Sequence, residues 1–255
     1  MIQSLDRGLA IVEYLSRHKS AGVTELANEF GINKSTASRI MATLTKHNIV
    51  CKNSETQKYR LSLGTLLLSH QALNSQAIAE AVRPVLVRLS EQTRENAHLC
   101  ALEEDKLYRI DQVKSARNRY LKDTALPGMV EPFHCSAAGK VILAHMPGAK
   151  VRRILEENEL YRYTEKTNTN TDDLIAEFAR VRQNGYAVDS EEFMPGVACI
   201  AVAVPNEWGM MEQAISISGS ASTLVSERAL EKNLPLLLDA ARRLTEQYRI
   251  INQGM

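Results

Sequence analysis

Long apolar runs, paired cysteines and glycine loops are all missing from this 255-residue chain. No stretch reaches the roughly 18–20 apolar residues that a membrane span requires, so none is expected. The opening Met1-Ile2-Gln3-Ser4-Leu5-Asp6 has neither the basic flank nor the apolar core of a secretory signal, and the expected location is the cytoplasm. Cys51, Cys100, Cys135 and Cys199 are far apart and form no CxxC pair, which argues against a disulfide framework or a zinc ribbon. Gly128, Gly139, Gly148 and Gly209 stand alone rather than in a phosphate-binding loop. What is present is an ordinary globular mixture, 44% hydrophobic and 24% charged, long enough for one large or two moderate domains.

Net charge is small, +1, but unevenly spread. Residues 1–62 carry nine Lys/Arg against five Asp/Glu, and the rest 22 against 25. A basic head on a mildly acidic body suits a nucleic-acid-binding module attached to something else.

The head has a readable pattern. Ser4 is expected to cap a helix with Leu5, Leu9, Val12 and Leu15 on one apolar face. Thr24 is expected to cap a short second helix with Leu26, Ala27 and Phe30 turned inward. Gly31 supplies the turn, and Asn33 caps a third helix from Lys34 to about His47, with Ala37, Ile40, Met41 and Leu44 inside. Its outer face then carries Lys34, Ser35, Thr36, Ser38 and Arg39. Short hydroxyls and long cations at a helix N-terminus are the groups that meet phosphates and base edges. Ile49–Lys52 and Lys58–Leu61 read as strands around a polar turn, which makes a wing whose Lys52, Lys58 and Arg60 would contact phosphates. Cys51 reads as a small buried residue of that wing. The head is therefore a winged helix-turn-helix for double-stranded DNA.

Leu63 to about Ala79 reads as a linker helix with Leu66, Leu67, His70, Leu73 and Ala77 on one side. Such a stripe calls for a partner helix, and operators of two-fold symmetry call for a dimer. Beyond it, a helix with Val82, Val85, Leu86 and Leu89 precedes strands expected at Ala97–Leu102, Leu107–Val113 and Tyr120–Ala125. Helices follow from Ser136, at Lys150–Glu157 and at Thr171–Gln183, then strands at Tyr186–Asp189, Val197–Val204 and Glu212–Ser218, and a last helix capped by Ser226. Strands in two groups with helices between and around them imply an antiparallel sheet, so the fold class is α+β. The expected domains are 1–62, a linker helix at 63–79, and 80–255.

Few residues in the body suggest chemistry. His134 and Cys135 adjoin in sequence, whereas nucleophilic pairs are assembled in space; an enzyme using His134, Cys135 and Asp189 is the weaker alternative. A metal trigger would draw on His98 and Cys100 with His134, Cys135 or Cys199, and a thiol trigger on Cys100, Cys135 and Cys199, but their spacing makes a poor ligand motif, and neither a metal nor another cofactor is expected. Asp189, Glu191 and Glu192 read as loop contacts more readily than as an acid–base pair.

Seven stretches, taken in order, resemble the IclR family of bacterial transcriptional regulators over nearly the whole chain. They are Ser4–Ile11, Asn33–Arg39, Tyr59-Arg60-Leu61, His134–Lys140, Gly185–Glu192, Gly196–Ala201 and Ala214–Gly219. The resemblance implies a winged helix-turn-helix, a linker helix and a GAF-like effector-binding domain, assembled as a homodimer or a dimer of dimers. It implies a regulator, commonly a repressor of a catabolic operon, released by a small organic acid, sugar acid or aromatic acid, with an organic acid or sugar acid the expected effector here. By position it implies an effector site at the backbone of Ser136, Ala137 and Ala138, at Asp189 and Cys199, and at the hydroxyls of Ser216 and Ser218. One departure stands out: the family often has an apolar residue just before Pro132-Phe133-His134, and here it is Glu131. A glutamate lining the site would disfavour a bare anion and favour a ligand with hydroxyls or an amine.

Overall fold

The structure, a computed structural model, describes residues 1–74, 78–118, 125–206 and 208–253, and their side chains except at 70–74, 78–80, 252 and 253. The chain divides into two compact units, Met1–Ser75 and Gln76–Met255. Among the described residues, no helix is long and apolar enough to cross a membrane.

The first unit is built from α1 (Gln3–Arg17), α2 (Val23–Glu29), α3 (Lys34–Lys46), the hairpin β1 (Val50–Lys52) and β2 (Tyr59–Leu61), and α4 (Thr65–Asn74). Its core holds Ile11, Leu15, Leu26, Met41, Val50 and Tyr59. Local chemistry explains the turn between α2 and α3. Gly31 takes φ +58°, a backbone state that costs glycine little. The Asn33 side chain then accepts the Thr36 N–H at 2.7 Å and starts α3.

Two expected helix starts differ. α1 begins at Gln3, with Ile2 rather than Ser4 before it and no side-chain cap. α2 begins at Val23 after Gly22, whose N–H is bonded 2.7 Å from the Glu25 carboxylate, so Thr24 lies inside the helix. The inner face of α1 is Gly8, Ile11 and Leu15, while Leu5 and Leu9 are 57% and 60% exposed. Spacing made all four leucine and valine positions one face; the flat contact with α3 and β2 needs only the stripe centred on Ile11. Cys51 is half-buried, with Sγ near the Leu61 carbonyl. The connector's His70, Leu73 and Ala77 side chains lie outside the described residues.

The second unit comprises α5 (Ile78–Thr93), β3 (Asn96–Glu103), β4 (Lys106–Val113), a 3-10 turn (Ala116–Asn118) and β5 (Val130–Glu131). Next come α6 (Ala137–Ala144), α7 (Gly148–Glu157), α8 (Thr171–Asn184), β6 (Ala187–Ser190) and β7 (Val197–Val204). The chain finishes with β8 (Gln213–Ser220), α9 (Ala221–Leu224) and α10 (Glu227–Gln253). Six strands form one antiparallel sheet in the order β5-β4-β3-β8-β7-β6. Side chains alternate across a sheet. Ala97, Leu99, Ile200, Val202, Ile215 and Ile217 therefore share one face with Leu86, Leu89, Leu237 and Leu244 of α5 and α10. Each fully buried leucine there is worth about 1.5–3 kcal/mol of burial. The opposite face, carrying Cys100, Leu102, Ala201 and Ala214, is covered by α6, α7 and α8. An α+β fold with an antiparallel sheet is what the patterning implied. Of the strand expected at Tyr120–Ala125, residues 120–124 lie outside the described residues and Ala125 is in no strand. The short β5 was not foreseen, because two residues show no period.

One close approach fixes α6. The Ser136 side chain caps it through the Gly139 N–H and donates to the Pro132 carbonyl at 2.6 Å. This folds residues 132–136 back against the helix. A Cβ on Gly139 would lie 2.4 Å from the Phe133 carbonyl oxygen and 2.6 Å from its Cα. Backbone cannot swing aside as a side chain can. Gly139→Ala is expected to destabilise the second unit by ~1–3 kcal/mol. Gly148→Ala, where a Cβ meets nothing within 4 Å, should stay within about 0.5 kcal/mol of the parent. Urea unfolding of the two variants, read side by side, checks the difference.

Candidate nucleic-acid surface and ligand site

On the first unit, Lys34, Ser35, Ser38 and Arg39 stand exposed along α3 and Thr36 is half-buried. The Ser35 hydroxyl donates to the Asn33 side chain at 2.8 Å, so it helps hold the cap. The wing cations differ from one another. Arg60 is exposed, with Nη1 on the Leu61 carbonyl. Lys52 lies 5.7 Å from the centre of the Tyr59 ring. Lys58 is ion-paired with Glu25 at 2.8 Å, which ties the wing to α2. That bond holds the Glu25 carboxyl below its ordinary range. Both groups are substantially exposed, and exposed pairs contribute little to stability.

In the second unit, strand register gathers four of the seven expected ligand residues. Asp189 on β6 is the partner of Cys199 on β7, and Cys199 is the partner of Ser218 on β8. Direct partners share a face with Cβ atoms about 4.5–5.5 Å apart. Ser216 sits two residues from Ser218 on the same face, opposite Ala201. Ser136, Ala137 and Ala138 begin α6, which lies over β6, β7 and β8. All seven are buried except Cys199, which is half-buried. Asp189 lies on β6, inside the strand expected at Tyr186–Asp189, while Glu191 and Glu192 follow it outside the strand.

The structure adds His98, Arg109 and Lys140, and it pairs the Glu131 that the sequence singled out with Arg109, 2.5 Å away. His98 on β3 meets the Ser218 hydroxyl through Nε2 at 2.8 Å. Burial first, then the charges of Arg109 and Lys114, hold its pKa well below the usual histidine value, so it is neutral. Its place beside Ser218 follows from cross-strand register, which has no signal along the chain. Lys140, 1% exposed, bonds Glu192 at 2.6 Å, Glu177 at 2.7 Å and the Val188 carbonyl at 3.2 Å. Burial disfavours its charge, but Glu192 and Glu177 outweigh that and keep it protonated. Glu192 in turn donates its N–H to the Asp189 carboxylate at 2.8 Å. One buried cation thus joins α6 to the segment carrying Asp189.

Two alternatives lose their geometry. His134 Nε2 lies 3.0 Å from the Tyr161 carbonyl. Cys135 is fully buried and burial pushes its thiol well up, so it is not an activated nucleophile. Among the described residues, no cluster of three or more His, Cys, Asp or Glu is placed to hold a metal. The carboxyl of Asp189 is pushed up to about 7, chiefly by burial and further by Glu192, against bonds from the Glu192 and Phe193 N–H groups and the charge of Lys140. Near neutral pH it can donate or accept, which suits a ligand hydroxyl or carboxylate.

Lys140→Met is expected to cost ~3–5 kcal/mol, because it leaves Glu192 and Glu177 without their cation; chemical denaturation measures it. For Asp189 the sign follows from linkage. The folded state holds the proton up to about pH 7, whereas an unfolded aspartate releases it near 4. Stability from this group is therefore full below pH 4 and is lost as pH rises to 7. The stability of the parent minus that of Asp189→Asn should fall between pH 4 and 7 and be flat above; a difference constant across that range would contradict the assignment.

Comparison with known proteins agrees with this division. The IclR helix-turn-helix domain matches residues 4–54, and the C-terminal domain of the bacterial transcriptional regulator IclR matches residues 70–246. The chain is 32% identical over 246 residues to the HTH-type transcriptional regulator KdgR of Escherichia coli K12, covering 96% of this chain and 92% of that protein. It is 29% identical over 250 residues to the transcriptional repressor IclR of the same organism, covering 97% and 90%. Its fold matches the crystal structure of an IclR homologue from Microbacterium hydrocarbonoxydans complexed with 4-hydroxybenzoate, with a TM-score of 0.83 at 20% identity and coverage of 97% and 99%. A helix-turn-helix followed by the IclR C-terminal domain along nearly the full length establishes that this chain belongs to the IclR family of transcriptional regulators.

Proposed function

We propose that the chain is a cytoplasmic repressor of a catabolic operon, released from its operator by a small organic acid or sugar acid. The observation that carries the ligand half is the row Asp189–Cys199–Ser218, with Ser216 beside it, lying under the start of α6. The first-turn N–H groups after Ser136 offer donors to a carboxylate, and Asp189 and the two serines offer partners to hydroxyls. On the DNA half, Lys34, Ser35, Thr36, Ser38 and Arg39 would read the major groove, and Lys52, Lys58 and Arg60 would follow the backbone, Lys58 after giving up Glu25. Assembly as a homodimer or dimer of dimers is supported by the exposed Leu5 and Leu9 of α1 and by Leu66, Leu67 and Leu68 of α4, apolar side chains that water alone would leave unsatisfied. The relative bound to 4-hydroxybenzoate supports an acid as the ligand.

One experiment tests both halves. The purified chain selects a duplex from random sequence, and binding to it is followed by fluorescence anisotropy while sugar acids, keto acids and aromatic acids are screened by thermal shift. Arg39→Ala should weaken duplex binding by ~1–3 kcal/mol. Asp189→Ala should bind the duplex as the parent does but ignore the acid that releases it. Unchanged affinity in the first variant would remove Arg39 from the interface, and a fully responsive second variant would move the ligand site elsewhere.

A further inference from the structure

The second unit holds a cavity of about 230 Å³ that is separate from the ligand site assigned above. It is lined by residues of β5, of the segment 132–134, of α7 and of the loop after α7, and by none of Asp189, Cys199, Ser216 and Ser218. Drug-sized pockets run to ~300–1,000 Å³, so this one suits a smaller molecule. Phe133, Leu155 and Leu160 give it apolar walls, and Tyr163 lines it too. The Tyr163 ring is held edge-to-face against Phe193 at 4.9 Å and Tyr161 at 5.0 Å.

Two buried acceptors give the cavity its chemistry. Glu131 and His134 both line it and are 5% and 3% exposed. Arg109 donates Nε to Glu131 Oε1 at 2.5 Å and Nη1 to Gln112 at 3.2 Å. An irregularity in the β3–β4 pairing at Leu99/Cys100 brings Arg109 and Gln112, three residues apart, to one face. Among the described residues nothing donates to the other carboxylate oxygen, Oε2, and it is not sealed from open space. A carboxylate accepts at both oxygens, so half of this one is unused. The imidazole of His134 is half used as well. Nε2 lies 3.0 Å from the Tyr161 carbonyl, which can only accept, so Nε2 carries the proton. Burial first, with the charge of Lys140, outweighs that carbonyl and holds the ring's pKa below its ordinary value, so the ring is neutral. Nδ1 is then an acceptor to which no described residue donates.

We propose that this cavity is a second small-molecule site, for a primary amine carrying a compact apolar body. The ammonium donates to Glu131 Oε2 and His134 Nδ1, and the body lies against Phe133, Leu155 and Leu160 beside Tyr163. An ammonium has three donors and no acceptor, which matches two acceptors in one place. A carboxylate has no donor and is rejected. A single hydroxyl can satisfy one acceptor only, and it lacks the charge that strengthens a bond to a carboxylate. Asp105 is paired with Arg153 at 3.2 Å, and the exposed Glu159 and Lys106 are of opposite sign, so selection falls to the two buried groups. Pro132 also lines the cavity, and its carbonyl takes the Ser136 hydroxyl at 2.6 Å. An occupant therefore sits against the segment that caps α6.

Isothermal titration of the full chain with phenethylamine, phenethyl alcohol and hydrocinnamate, alike in shape and different in charge, tests this. Phenethylamine should bind tenfold or more tighter than either of the others. Glu131→Gln, which removes the charge and keeps the shape, should weaken phenethylamine tenfold or more. Leu160→Trp, which fills the cavity, should abolish its binding. Tyr163→Ala, at a position 42% exposed, should weaken it threefold or more and supplies the readout if the buried variants do not fold. Equal binding of the three compounds by the parent, or no binding of phenethylamine, overturns the proposal. So does parent-like affinity for phenethylamine in any of these variants that folds, since the amine would then sit elsewhere.

Discussion

The second unit depends on one buried cation. Lys140 is the largest fully buried side chain in the molecule's described part, and its three partners come from α8, from β6 and from the segment after β6. A lone ammonium could not be held there; two carboxylates and a carbonyl make the burial tolerable. The consequence is geometric. α6 cannot slide along the sheet without breaking these bonds, and the segment carrying Glu192 cannot lift without releasing the N–H that holds Asp189. Gly139 acts one residue earlier by letting the helix approach the Phe133 backbone. Helix start and aspartate are thereby held in a fixed relation, which is what a small ligand bridging them requires.

The first unit uses weaker and more local devices. Asn33 caps α3, Gly31 turns the chain, and Glu25 serves both the start of α2 and the wing through Lys58. Each is worth around 1 kcal/mol or less. That is enough to orient a short helix whose core is small, and it leaves the exposed face of α3 to polar and cationic side chains. Lys58 shows how a cation's place in the sequence differs from its availability: its charge is already engaged, so contact with a phosphate there requires an exchange of partners.

Local chemistry was legible in the sequence, and pairing between distant strands was not. Asn33, Gly31 and Ser136 announced themselves because caps and turns are decided within a few residues, and the structure has each in that role, although the caps expected at Ser4 and Thr24 did not form. The helices and most strands followed from period. Leu5 and Leu9 failed because period identifies an apolar stripe but not how much of it the neighbour covers. Arg109 and Gln112 escaped because an irregular pairing, invisible to alternation, put residues three apart on one face. His98 and Ser218 are 120 positions apart, and only register joins them. Lys140 was hidden by its type: a lysine between apolar residues reads as a solvated edge until its carboxylates are in view.

Asp189 and Glu131 then play unlike parts although both are buried carboxyls on one face. Glu131 has a guanidinium at 2.5 Å and its neighbourhood is balanced before any ligand arrives. Asp189 has two backbone N–H groups and the charge of Lys140 nearby, but burial dominates and its pKa rises to about 7. A ligand hydroxyl donating to Asp189 stabilises its ionised form, and a ligand carboxylate placed beside it stabilises the protonated form.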